Sequence, residues 1–260
     1  MVLGGGGYVA GPMVLAAAAQ RIPTAVMEAD AQLGLANRLA APLARRVFLS
    51  FPIPGREGAK YRVTGRPIPR RSRVSVSREQ ARARFFLDEG PVLLVFGGSQ
   101  GAHSLNELAV ESFAAAGPAV LHLSGERDFA SLAARVSRPG YRLLPFAPDF
   151  GTALAAADLV LARAGGSVWE VAAAERPAIL VPYPFATADH QTKNARYFEE
   201  AGGAVVVPDK ELGRVPDLVR SLLGDPERLR TMGAAMARVA RPHAANEIAE
   251  EMIGLAAARG

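Results

Sequence analysis

From Pro91 onward six short apolar runs, "PVLLVF", "AVLHLS", "YRLLPF", "LVLAR", "AILVPY" and "AVVVP", recur with Ala- and Leu-rich helical stretches between them. Strand-length runs alternating with helical ones mark parallel α/β layers, and six of them make a complete doubly wound domain. Helices over 225–240 and 243–258 close the chain, and "GDPE" places Pro226 in a first turn, where its missing N–H is harmless.

Ahead of Gly65 the same alternation yields much less: a strand stub at "VL", a helix over 11–20, strand "TAVMEA", helix "LGLANRLAAPLA", then "VFLSF" and "YRVTG". A first strand of two or three residues falls short of the usual length of about five to six. The reading is therefore of a partial N-terminal domain over 1–70 and a complete C-terminal one over 71–240. Residues 71–90 serve as linker and entry helix, and 241–260 form a final helix. "RPIPRRSRVSVSREQ", with Pro67 and Pro69 in a polar setting, fits the boundary between them.

Composition removes several classes of function. There is no cysteine, and the four histidines, His103, His122, His190 and His243, lack metal-ligand spacing, so thiolate metal sites and disulfides are excluded and no metal is expected. The uncharged first 20 residues have no basic n-region, and glycines and Pro12 interrupt their apolar run, against a signal peptide. No stretch reaches the roughly 18 to 20 apolar residues of a spanning helix. The net charge of +5 is concentrated between Arg66 and Arg84, a surplus that suits anionic partners or a solvated linker. No aromatics interleave with those basic residues, so a nucleic-acid partner is not expected.

Four clusters can carry chemistry. In "VLGGGGYVAG", Gly5, Gly7 and Ala10 spell G-x-G-x-x-A, and Glu28 lies about 20 residues downstream, as in a dinucleotide cradle. "LLVFGGSQGAHSLNEL" sets Gly97, Gly98, Ser99, Gln100 and Gly101 between a strand and a helix, where outward N–H groups hold a diphosphate without a metal. "LARAGGSVWEVAAAE" sets Gly165, Gly166 and Ser167 ahead of a helix with Glu170 in its first turn. That carboxylate either accepts from a ribose diol or closes an S-x-x-E capping box with Ser167. "DHQTKNA" offers Asp189, His190, Gln191 and Asn194, either as readers of sugar hydroxyls or as a helix cap with solvated amides.

Together "GGYVAGP", "LGLANRLAA", "VTGRP", "GGSQGA", "RAGGSVWEVAAA" and "DHQTKNA" resemble, in order and over essentially the whole chain, the MurG family of bacterial peptidoglycan glycosyltransferases. The resemblance implies a GT-B architecture: two Rossmann-like domains facing a cleft, the N-terminal one incomplete here, with the final helix returning to it. It also implies inverting transfer of N-acetylglucosamine from UDP-N-acetylglucosamine to the C4 hydroxyl of lipid I, giving lipid II at the cytoplasmic face of the membrane, with the enzyme bound peripherally to an anionic surface. The implied acceptor diphosphate site is Gly6, Gly7 and Tyr8. The implied donor site is Gly98, Ser99, Gln100, Gly101, Gly166, Ser167, Glu170, Gln191 and Asn194, with no cofactor.

A base must take the acceptor proton; Glu28 is nominated, with Tyr8 positioning. Departures are also plain. The family's H-E-Q-N reads "MEAD" here, so Met27 and Asp30 replace a histidine and an asparagine. Its "GNPVR" reads "GRPIP", leaving Arg66 and Arg70 as substitutes for the arginine. The family's "GGTGGH" loop is not in this chain, which fits a late start codon, a fragmentary gene or a partner chain that completes the domain. Two other classes of function follow as alternatives: a non-catalytic UDP-sugar-binding half that needs such a partner, and an NAD-dependent oxidoreductase built on Gly5, Gly7, Ala10 and Glu28.

Overall fold

The computed structural model describes residues 1–98 and 101–257, apart from the side chain of Tyr8. The chain divides into two compact units, one of residues 1–68 with 241–260 and one of residues 69–240.

In the first unit the elements run β1 (Val2–Gly4), α1 (Gly7–Ala19), β2 (Thr24–Glu28), α2 (Leu35–Ala40), β3 (Arg46–Leu49) and β4 (Tyr61–Val63). They form a four-stranded sheet in the order β1-β2-β3-β4, parallel throughout. Helix α1 begins at Gly7, earlier than the sequence pattern predicts, because Gly6 at φ 84 turns the chain off β1. Helix α2 stops at Ala40, well before the predicted end: Ala41 keeps helical φ/ψ, but Pro42 after it has no N–H to continue the ladder.

The second unit begins with α3 (Arg78–Arg84) and continues β5 (Val92–Phe96), α4 (His103–Phe113), β6 (Ala119–Leu123), α5 (Glu126–Ala133), β7 (Tyr141–Leu144) and α6 (Phe150–Ala156). It goes on through β8 (Leu159–Ala162), α7 (Val168–Ala173), β9 (Ala178–Leu180), α8 (His190–Glu200), β10 (Ala204–Val206), α9 (Val215–Leu223) and α10 (Pro226–Val239). The last helix, α11 (Ala244–Ala257), belongs to the first unit. All six predicted C-terminal strands are present, in one parallel sheet of order β10-β9-β8-β5-β6-β7. Strand β5 is buried at every position, as a central strand covered on both faces must be.

Period-2 alternation explains how both faces of the smaller sheet are covered. Val26 points to one side, with Val14, Val47 and Leu49; Ala25 points to the other, with Phe48 and, one turn apart on α11, Ile248 and Met252. Arg46 and Arg62 clamp that helix through Glu251, at 2.8 and 3.3 Å.

At the foot of the larger sheet Asp158 accepts from Arg82 (2.5 Å), Arg78 (2.9 Å) and the Val92 N–H (2.8 Å), tying α3 to β5. Arg84 lies 3.6 Å from Asp149. Of the basic stretch that suits anionic partners or a solvated linker, Arg78, Arg82 and Arg84 are thus committed to internal ion pairs.

Candidate active site

The order of the larger sheet reverses at β5, whose neighbours are β6 and β8. In open α/β sheets ligands bind at the strand carboxyl ends beside such a reversal. The loops there are Gly97–Ala102, Arg163–Ser167, the β7–α6 loop over 145–149 and the β9–α8 loop over 181–189. Ser99 and Gln100 of the first loop lie outside the described residues. Gly98 and Gly101 have φ of 90° and 72°. A Cβ on Gly101 would sit 2.2 Å from the Ser124 carbonyl oxygen, so this turn closes onto β6 only because residue 101 is glycine.

Two cavities open among these loops. One, of about 500 Å³, is lined by Gly98, Phe146, Phe150, Leu123, Ser167 and Glu170. Phe150 meets Phe96 edge-on at 5.0 Å, while Phe146 is 57 % exposed at the mouth, an uncovered ring beside a carboxylate. Of the two readings of Ser167 and Glu170, the capping box does not form: Ser167 has helical φ/ψ and makes no side-chain cap. The Glu170 carboxylate, half-buried, has no hydrogen bond or ion pair among the described residues and faces the cavity bare. The S-x-x-Q sequence at Ser77 forms the box instead, with Ser77 Oγ accepting from Gln80 N at 3.3 Å and Gln80 Oε1 from Ser77 N at 3.2 Å.

The second cavity, of about 480 Å³, is lined by Gly97, Gly101, His103, Arg163, Tyr183 and Gln191. Arg163, 8 % exposed, is pinned by Asp209 (2.5 Å), by the carbonyls of Val181 and Pro182 and by Ser104 Oγ (2.7 Å), and lies over the Tyr183 ring. Gln191 Oε1 accepts from the Tyr183 N–H at 2.9 Å. Ala188 and Asp189 are both left-handed, at φ 51° and 54°, a costly conformation for residues with a Cβ and one that collects at binding loops. Asp189 makes no backbone cap; its carboxylate accepts from Thr192 Oγ1 at 2.6 Å. Asn194 is fully buried, with its amide directed to the Ala164 carbonyl at 3.4 Å, so it braces the Arg163–Ser167 loop from below and presents nothing to solvent.

Sequence reasoning passed over Phe146, Phe150, Arg163, Tyr183 and Asp209. The signal for the first two was available, since "LLPFAPDF" is another strand carboxyl end with aromatic residues where a polar loop is ordinary.

In the first unit Gly6 and Gly7 have φ of 84° and 78° and lead into α1. Glu28, 5 % exposed, has both oxygens filled: Oε1 accepts from the N–H of Ala29 (2.9 Å) and Asp30 (3.2 Å), and Oε2 from the N–H of Gly34 (2.9 Å) and from Asn37 Nδ2 (2.8 Å). Four donors occupy the four lone-pair sites of a carboxylate. Glu28, nominated from the sequence as the general base, is held by these four donors and braces the β2–α2 loop. Among the described residues no three of His, Asp and Glu converge as a metal site, and no helix is long and apolar enough to cross a membrane.

Residues 92–249 match the glycosyltransferase family 28 C-terminal domain, and residues 1–49 its N-terminal domain. A UDP-N-acetylglucosamine--N-acetylmuramyl-(pentapeptide) pyrophosphoryl-undecaprenol N-acetylglucosamine transferase of Rubrobacter xylanophilus is 44 % identical over 258 residues, covering 97 % of this chain and 76 % of that protein. The protein of the same description from Halothermothrix orenii is 38 % identical, covering 95 % and 72 %. The chain belongs to the MurG family of glycosyltransferases. The crystal structure of Acinetobacter baumannii MurG superposes with a TM-score of 0.79 at 29 % identity, covering 95 % of this chain and 71 % of that one, which makes the fold GT-B. Membership in the MurG family overturns the nicotinamide reading of Gly5, Gly7, Ala10 and Glu28. The acidic residue that would grip a ribose is closed within its own loop.

Proposed function

We propose that this chain transfers N-acetylglucosamine from UDP-N-acetylglucosamine to the muramoyl C4 hydroxyl of the undecaprenyl-diphosphate acceptor lipid I, the reaction named for its relatives. The hydroxyl oxygen attacks the anomeric carbon from the face opposite the nucleotide, the bond from that carbon to the β-phosphate oxygen breaks, and UDP leaves with the electron pair. The acceptor proton passes to a general base.

The observation that carries the reading is the bare Glu170 carboxylate beside an aromatic-walled cavity at the mouth of a glycine turn. A ribose diol donates to Glu170, a flat base lies against Phe146 and Phe150, and the diphosphate meets the N–H groups of the Gly97–Gly101 turn at the start of α4 and those of Gly166 and Ser167. Those fixed dipoles hold the charge that develops on departing UDP. The sugar then occupies the second cavity, where Gln191 faces its hydroxyls, and Asn194 acts by holding the loop above it. The acceptor diphosphate lies on the Gly6–Tyr8 turn.

Calorimetric titration with UDP-N-acetylglucosamine tests this assignment. Glu170→Ala weakens binding by about tenfold or more, as expected for a lost charge-assisted hydrogen bond. Unchanged affinity removes Glu170 from the site. Transfer to a lipid I analogue, followed in the same sample, tests the activity itself.

The acceptor's lipid tail calls for a surface at the cytoplasmic face of the membrane. Val9 and Met13, one turn apart on α1, and Leu35 and Leu39, one turn apart on α2, are all well exposed, on two helices that touch where Gly11 meets Ala36. These side chains enter the lipid interface, while Arg38 and Arg45 contact anionic head groups.

A further inference from the structure

The larger unit has a third cavity, at the opposite ends of the strands from the proposed donor site. Asp158 and Pro177, which immediately precede β8 and β9, form one wall, and Leu229, Arg230 and Ala234 of α10 the other. Its volume, about 460 Å³, lies in the range of small-molecule sites, about 300 to 1,000 Å³.

Arg176 stands out among the groups lining it. Its Nε is buried without a hydrogen-bond partner, and the guanidinium makes no hydrogen bond or ion pair anywhere among the described residues. Burial foremost, with the Arg78 cation second, holds this guanidinium below its usual range; Asp158 and Glu175 pull the other way.

Neither carboxylate satisfies it. Both oxygens of Asp158 are already taken, by Arg78, by Arg82 and by the Val92 N–H, and Glu175, which also lines the cavity, forms no ion pair with Arg176. Arg78, paired with Asp158, and Arg230, paired with Glu227, line the same cavity, so Arg176 is the one of its three arginines without a carboxylate partner among the described residues. An unpaired, partly desolvated guanidinium is unfavourable, and a ligand anion would complete it.

We infer that the cavity between α10 and the strands' amino ends binds a soluble phosphorylated molecule, with Arg176 as its principal anchor and Arg78 and Arg230 flanking it. A planar guanidinium fork offers paired donors to phosphate oxygens, and Pro177, Pro226 and Leu229 leave apolar wall for the rest of such a molecule. The site is separate from that proposed for the sugar nucleotide: it uses none of the same residues and lies at the other end of the sheet. It stands whether or not that reading does.

Hydrogen–deuterium exchange of the full chain, titrated with inorganic pyrophosphate, locates the event. Exchange slows in the peptides spanning 175–177 and 226–234, which are distinct from any change over 97–104 at the glycine turn. In Arg176→Leu, which puts an apolar side chain where the charge was desolvated, the pyrophosphate concentration for half protection at 226–234 rises about tenfold or more. Arg230→Gln, on an exposed side chain with no role in the core, raises it about threefold and keeps the inference testable should the first variant fold poorly. Protection absent from 226–234 in the native chain, or unaltered in both variants, overturns the proposal.

Discussion

His122 sits in the middle of β6, fully buried, and links two other buried polar groups. The neutral ring that satisfies both partners donates from Nε2 to Asn106 Oδ1 (2.9 Å) and accepts at Nδ1 from Tyr141 Oη (2.8 Å). Burial pushes its pKa down from 6.5 to about 4, against a weaker opposing pull from Asp128. A histidine depressed in the folded state contributes stability that is complete above the unfolded value and is lost as pH falls toward the folded one. Between about pH 7.5 and about pH 5 the chain therefore loses about 2 kcal/mol at this residue, before most carboxylates titrate. Urea unfolding across that window measures it, and His122→Gln, which keeps a donor and an acceptor but does not titrate, flattens the slope. An unchanged slope in the variant means that His122 is not the source. At this scale the sequence was a partial guide. It marked Glu170 and Ser167 correctly as neighbours but could not tell capping from ligand binding, because S-x-x-E supports both. Residue type alone likewise cannot show that Glu28 meets four donors or that Asn194 points inward, since those facts depend on loops closing from elsewhere in the chain.

The turn from β5 into α4 shows how an element fixes a site. Asn106, on the second turn of α4, donates to the Ser124 carbonyl at 2.9 Å and to Asp128 at 2.9 Å, so helix and β6–α5 corner move together. Gly101 fills the space between them, with no room for a side chain. Gly101→Ala must either strain a left-handed backbone, at about 1 to 2 kcal/mol, or shift the turn away from Ser124. UDP affinity is expected to fall by about tenfold or more, with a small drop in Tm, because the N–H groups must lie within hydrogen-bond range of the phosphates. Full affinity in this variant would show that the turn does not contact the diphosphate. The strands, their order of appearance and this glycine turn were legible because apolar period and glycine clusters are local signals. The β7–α6 loop was not, since Phe146 and Phe150 acquire meaning only when the sheet brings them beside a loop that follows a different strand.

For the molecule as a whole, the question is which surface would carry the proposed contact with lipid. Sequence charge pointed to the basic run from Arg66 to Arg84, yet three of its arginines are drawn into ion pairs with Asp149 and Asp158. The Arg84–Asp149 pair is exposed and individually weak, while Arg82–Asp158 is largely buried, and all of them reduce the free positive charge on that stretch. The exposed apolar residues of α1 and α2 lie instead in the first unit, and Leu35 and Leu39 are 64 % and 61 % exposed there. Inserting a leucine side chain into the interface recovers part of the roughly 1.5 to 3 kcal/mol of its full burial. Removing two should reduce binding to anionic vesicles roughly tenfold, even if each is only partly inserted. Leu35→Ser with Leu39→Ser is thus expected to release the chain from the vesicles in co-sedimentation while leaving its affinity for UDP-N-acetylglucosamine intact, since the proposed donor site lies in the other unit. Salt separates the two contributions: added salt screens Arg38 and Arg45 but not the leucines. A native chain that stays bound in high salt, beside a double variant that does not, assigns the contact to the apolar face. Equal binding of the two at every ionic strength would return it to the arginines.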